Sequence, residues 1–237
     1  DGFREDVITY ISKTPGLPSV YPKLPAANGM QHYSNRPDVH RYLAEFKRDV
    51  LSGYDCFVVG ESPLTTPDIA LRYVTEGENK VLDEMIAFSH MEADCFMTDF
   101  VPRPFDLKKM KRAFTTWQKK LEGKGWNALY IENHDHPRII SRYGSEQYWK
   151  ESGKMLAAMY MLQRGTPFIY QGQEIGMLNI ALPRIDMYKD VMTMNAVRLA
   201  SKIMPAKKVL KLVRDRSREN SRTPMQWSNE ANAGFST

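Results

Sequence analysis

Short apolar runs rich in β residues alternate along this chain with amphipathic helical patterns, and that alternation is what a parallel sheet covered by helices requires. The runs are GFREDVITY from Gly2, CFVVGES from Cys56, MIAFSHM from Met85, WNALYIENHD from Trp126 and GTPFIYQGQE from Gly165. Helical periodicity lies between them over Val39 to Leu51, Asp106 to Leu121 and Gln147 to Leu162, with Asp38 and Asp106 placed as N-caps. The pattern predicts a β/α series of about five strands.

Polar, potentially reactive groups finish these runs: Asp6 after GFRE, Glu61 after FVVG and Asp135 after ALYIENH. The C-terminal ends of parallel strands form the active-site face of a (β/α)8 barrel. An open doubly wound sheet would put ligands there too, but no glycine fingerprint for a nucleotide is present, so the barrel is the expected fold. From Asn179 the alternation stops. Residues 179–237, with helical patterns near Ile185 to Ile203 and then RENSRTPMQW, read as a helical elaboration after the last strand.

Composition narrows the function classes. At 237 residues, 42% hydrophobic and 26% charged, the chain is an ordinary globular one with room for a sizeable core. Its net charge of +5 comes from short groups such as Lys108, Lys109, Lys111 and Arg112, which at helical spacing are solvated faces rather than a nucleic-acid groove. No apolar run is long enough to span a bilayer. The two cysteines, Cys56 and Cys95, lie far apart and give no disulfide framework, which fits a reducing, cytoplasmic compartment. The chain opens on DGFREDVI without a methionine and stops on NAGFST, so it reads as a fragment truncated at both ends.

The segment IENHDHPR, residues 131–138, admits two chemistries. For a metal, His134 and His136 on a strand would point one way and Asp135 the other. At most two could then meet one ion, and His32, His40 and His90 supply no matching pair, so neither a metal nor another cofactor is expected. Sugar chemistry asks instead for two carboxyl groups in opposite roles. Each strand-end carboxylate alone has a plain structural explanation as a turn former or cap. Together they suit glycoside hydrolysis: Arg4, two residues before Asp6 on the same strand face, would hold a nucleophile ionised and oriented. Glu61 follows four apolar residues, and such low-dielectric surroundings suit a proton-carrying acid.

In order along the chain, GFREDV, VVGES, ENHDHPR and GTPFIYQGQEIGM resemble the conserved segments of the α-amylase superfamily, glycoside hydrolase family 13. The stretches ISKTPGLPSVYP and NSRTPMQWSNEANAGF resemble more narrowly the oligo-1,6-glucosidase and α-glucosidase branch. The resemblance implies a partial (β/α)8 TIM barrel, about strands 4 to 8 with their helices, belonging to a larger catalytic domain. It implies a retaining mechanism in which Asp6 attacks the anomeric carbon, Glu61 is acid then base, and Asp135 holds the hydroxyls of the reacting glucose. His134 would assist Asp135, Arg4 would orient the nucleophile, and Arg138 would line the sugar pocket. Val7, directly after Asp6, would border the leaving sugar, where valine accompanies α-1,6 preference. Glu5, Ser89 and His136 depart from the commonest residues of the family, the last two at expected pocket-edge positions.

The expected activity is hydrolysis of terminal α-1,6-linked, and also α-1,4-linked, glucose from short oligosaccharides, with this fragment inactive by itself. A trehalose-6-phosphate hydrolase is the enzyme alternative. A non-catalytic binding or transporter-partner relative is the other, weighed against by the retention of all three carboxylates. The only partner expected is a small oligosaccharide, with no nucleic acid or membrane.

Overall fold

The computed structural model describes residues 1–16, 18–20 and 29–236, so Leu17, Tyr21 and Pro22 of the ISKTPGLPSVYP stretch lie outside the described residues. The chain divides into two compact units: Asp1–Ala93 with Asp106–Leu129 and Gln163–Thr166, and Asp94–Phe105 with Tyr130–Leu162 and Pro167–Thr237.

In the first unit β1 (Gly2–Glu5), β2 (Phe57–Glu61) and β3 (Glu84–Ile86) form a parallel sheet in the order β1-β2-β3. Arg4 pairs with Val59 and Val59 with Glu84, while Glu5 pairs with Gly60 and Gly60 with Met85. Alternation therefore sorts the side chains onto two faces. Val58 and Met85 enter the core with Val39 and Leu43 of α1 (Asp38–Asp49) and Ala70, Tyr73 and Val74 of α2 (Pro67–Val74). Arg4, Val59, Glu61 and Glu84 take the opposite face. Gly60 lies on the helix-covered face, where an added Cβ would stand 2.6 Å from Leu82 Cδ1. β1 is the sheet edge, and its Phe3 is largely exposed. α3 (Leu107–Leu121) packs against α2, and β6 (Ala128–Leu129) and β7 (Thr166–Pro167) form a short pair through Thr166 N–H donating to Asn127 O at 2.8 Å.

The second unit holds an antiparallel hairpin that the sequence pattern did not suggest, β4 (Cys95–Phe96) with β5 (Thr98–Pro102). Its one-residue link, Met97, takes φ 61°. α4 (Ile139–Tyr143), α5 (Trp149–Met161), α6 (Val191–Ala200) and α7 (Ala206–Arg216) complete it.

Element boundaries differ from expectation for local reasons. Asp38 is the first helical residue of α1, with Pro37 at the N-cap, and no side chain caps that end. Asp106 caps α3 as expected, accepting from Lys109 N–H at 3.0 Å. The helix expected over Ile185 to Ile203 breaks, because Asp190 turns to cap α6 by accepting from Met192 and Thr193 N–H. α2 was absent from the expected helices although Thr66 as cap and Pro67 at the first position mark its start. We predict that Asp106→Ala, which leaves the first turn of α3 without its cap, lowers the stability of the complete protein by about 1 kcal/mol in urea unfolding. An unchanged midpoint would show that the cap contributes nothing.

Candidate active site

β1 ends at Glu5, so Asp6 stands at the first residue of the following turn, one step beyond the Glu5–Gly60 pair and in line with Glu61 at the end of β2. The Asp6 carboxylate is mostly exposed and accepts from Arg4 Nη1 at 2.7 Å. Arg4 Nη2 donates to Glu61, whose side chain is only 5% exposed. One guanidinium thus holds both carboxyl groups. Glu61 is both buried and hydrogen-bonded to a guanidinium, because Arg4 shares its sheet face two residues earlier in register.

Val7 takes φ 46° and ψ 38°, a left-handed conformation that is costly for a β-branched residue. It starts the 3-10 turn Ile8–Tyr10, and its carbonyl accepts from Tyr10 N–H at 3.0 Å. The chain reverses directly behind Asp6, and Val7 is half-buried.

Two further carboxyl groups of this unit lack full partners. Burial raises Glu5 above its ordinary range, and its Oε2 has no hydrogen-bond partner among the described residues. Glu84, buried on the face that carries Arg4 and Glu61, is pushed up to about 7 by burial, against the lowering effect of the Thr166 hydroxyl that donates to it. Its Oε2 is likewise unpartnered among the described residues. Ser89, expected at a pocket edge, accepts a hydrogen bond from Trp117 Nε1 at 2.8 Å.

In the second unit the segment after β6 leaves the strand conformation, so residues 132–137 form a turn. The alternation expected for His134, Asp135 and His136 therefore does not apply, and the two histidines go to different partners. His134 Nε2 is 3.3 Å from Asp135 Oδ2, whereas His136 Nδ1 is 2.6 Å from Asp99 Oδ2. Asp135 Oδ1 accepts from Arg218 Nη1 and from Arg222 Nη2, each at 2.9 Å. Burial pushes the Asp135 carboxyl up, but His134, Arg218 and Arg222 outweigh it and hold the group below its ordinary range. Arg218 is itself fixed by Asp190 at 2.8 Å, and Arg222 donates to His134 O at 2.8 Å. Sequence alone does not single out these two arginines and Asp190: nothing in the local pattern of RENSRTPMQW says which carboxylate its arginines reach.

Arg138, expected along the sugar pocket, is buried by its partners among the described residues: it is 0% exposed, and its guanidinium donates to Glu132 Oε1 at 2.6 Å and Gln171 O at 2.7 Å. Glu132 also accepts from Ile139 N–H at 2.9 Å; burial raises this carboxyl despite both donors. The pair closes the turn that displays His134 and Asp135, and Gly172, at φ 90°, is needed because a Cβ there would come within 3.0 Å of Arg138 Nη1.

Two carboxyl groups joined by one arginine thus stand at adjacent ends of parallel strands. Residues 1–237 match the alpha-amylase catalytic domain, and the chain belongs to that family. An oligo-1,6-glucosidase of Parageobacillus thermoglucosidasius is 44% identical over 99% of this chain, which covers 43% of that relative. A trehalose-6-phosphate hydrolase of Bacillus subtilis is 40% identical over 100% of the chain and 42% of its own length. The crystal structure of Bacillus licheniformis trehalose-6-phosphate hydrolase matches with a TM-score of 0.87 at 40% identity, covering 99% of this chain and 42% of that one. The chain spans less than half the length of these relatives.

Glu84 generates a pH prediction. A glutamate with the ordinary value of 4.5 ionises in the unfolded chain while the folded protein keeps its proton to about 7, so this group withdraws stability as pH rises through that window. Glu84→Gln should flatten the fall of the melting temperature of the complete protein across it; an unaltered pH slope would contradict the assignment.

Proposed function

We propose that this chain is the C-terminal part, about strands 4 to 8, of a (β/α)8 catalytic domain of a retaining α-glucosidase, with residues 179–237 an elaboration after the last strand. The substrate is a short oligosaccharide from which terminal α-1,6-linked, and also α-1,4-linked, glucose is removed. The observation that carries the reading is Arg4 joined to both Asp6 and Glu61 at neighbouring strand ends.

Asp6, the exposed member, is the nucleophile: its carboxylate forms a bond to the anomeric carbon as the glycosidic C–O bond breaks, and Glu61 gives its proton to the leaving oxygen. Water then attacks the same carbon, Glu61 takes the water proton, and Asp6 departs, so two inversions retain configuration. Asp135, held ionised by Arg218 and Arg222, binds the glucose hydroxyls and stabilises the oxocarbenium-like ring. His134 stands beside it. Val7 fixes the turn behind the nucleophile and faces the leaving sugar. Cys56 and Cys95, far apart in sequence and without a disulfide framework, support a reducing, cytoplasmic setting.

A second enzyme reading, hydrolysis of trehalose 6-phosphate, is favoured by the likeness to such a hydrolase at 40% identity. Purified complete enzyme given isomaltose, maltose and trehalose 6-phosphate in parallel separates the two. The α-glucosidase reading predicts the highest kcat/KM on isomaltose, with α-glucose as the first product seen by NMR. A preference for trehalose 6-phosphate of about tenfold or more would move the assignment to the second reading, and β-glucose as first product would overturn the mechanism in both.

A further inference from the structure

Asp99 and Arg142 have no part in the reaction as written, yet they occupy the densest charged cluster of the second unit. Arg142 on α4 is 0% exposed in its side chain and bridges two carboxylates, with Nη2 2.7 Å from Asp94 Oδ1 and 2.7 Å from Asp99 Oδ1. Asp94 also accepts from Arg216 of α7 and from the Tyr143 hydroxyl at 3.4 Å. Burial raises Asp99, but His136 and Arg142 outweigh it and hold the carboxyl below its ordinary range, so it acts as an acceptor only. The nitrogen 2.6 Å from it, His136 Nδ1, must then carry a proton.

That bond has a consequence for the reacting end of the unit. His136 is adjacent to Asp135 and precedes Pro137, so its side chain fixes the turn from the buried side. On the outer side Asp135 is gripped by Arg218 and Arg222, whose side chains are 24% and 38% exposed, with His134 beside them. Asp99, by contrast, rides on the β4–β5 hairpin and is locked by Arg142, itself locked by Asp94. We infer that Asp99 and His136 are positioning residues that hold the Asp135 turn in register, so that the hairpin acts on transition-state binding through one histidine–carboxylate hydrogen bond. The inference rests on the α-glucosidase reading of Asp135.

A carboxylate that binds more tightly in the transition state loses rate, not ground-state affinity, when displaced. The test compares the complete enzyme with His136→Ala, His136→Gln, Asp99→Asn and the double variant His136→Ala/Asp99→Asn, each assayed on isomaltose and normalised to active sites counted by a covalent inhibitor. His136→Ala should lower kcat by about ten- to a hundredfold with KM changed less than about threefold. His136→Gln, whose amide N–H can still reach Asp99, should recover most of that loss. The double variant should be no worse than His136→Ala, because both changes delete one bond. A kcat per active site within about twofold of wild type in His136→Ala, or losses that multiply in the double variant, would overturn the inference. Asp135→Asn serves as the control. If it is inactive while His136→Ala is unimpaired, the positioning role falls and the glycosidase reading stands; if it is fully active, both fall.

Discussion

Parallel pairing of β1 with β2 sets Asp6 and Glu61 in line on one sheet face, and a single guanidinium two residues back answers both carboxylates. Neighbouring strands lie about 4.8 Å apart, a span that the planar fork of arginine bridges with two donors and the single ammonium of lysine does not. The opposite sheet face carries Val58 and Met85 into the helix-covered core and leaves no room at Gly60 for a side chain. A one-residue slip of β2 would turn Val58 from the helix-covered face to the polar one. The apolar core therefore holds the carboxylates in line.

Asp135 is presented by other means. It does not finish a strand; it sits in a turn whose base is the buried Arg138–Glu132 pair and whose flank is His136 on Asp99. Buried ions are costly unless every partner is supplied, and here the Arg138 guanidinium meets a carboxylate and a backbone carbonyl while Glu132 meets a guanidinium and an N–H. Arg138 Nε alone of that guanidinium lacks a partner among the described residues, and the pair holds the turn from beneath. Strain behind Asp6 tells the same story on a smaller scale: a left-handed valine persists only where the surroundings impose it.

Much of this was legible in the sequence because it rests on periodicity and short-range spacing. β1 and β2 fall inside the first two apolar runs and β3 overlaps the third, starting one residue earlier at Glu84; the Asp106 cap is where its helix begins, and Arg4 reaches Asp6 because i and i+2 share a strand face. What was missed depends on long-range pairing. The position of Arg138 suggests a ligand contact, yet its burial is set by Glu132 and by the carbonyl of Gln171, a partner far away in sequence. The β4–β5 hairpin has no Asn-Gly or Gly-rich turn to announce it, since Met97 supplies the positive φ. Arg218 and Arg222 lie more than eighty residues from Asp135, and no local pattern joins them.

The central claim, that Asp6 is the group that bonds to the sugar while Glu61 serves it, is tested most directly by trapping. The complete enzyme bearing Glu61→Gln would be treated with an activated fluorinated α-glucosyl fluoride, whose good leaving group needs no proton and whose glycosyl-enzyme turns over slowly. Digestion and mass spectrometry would then locate the added sugar. The account predicts one glycosyl group per chain, on the peptide containing Asp6 and on no other carboxylate. A sugar attached elsewhere, or an active variant that releases inverted product with no adduct, would contradict it.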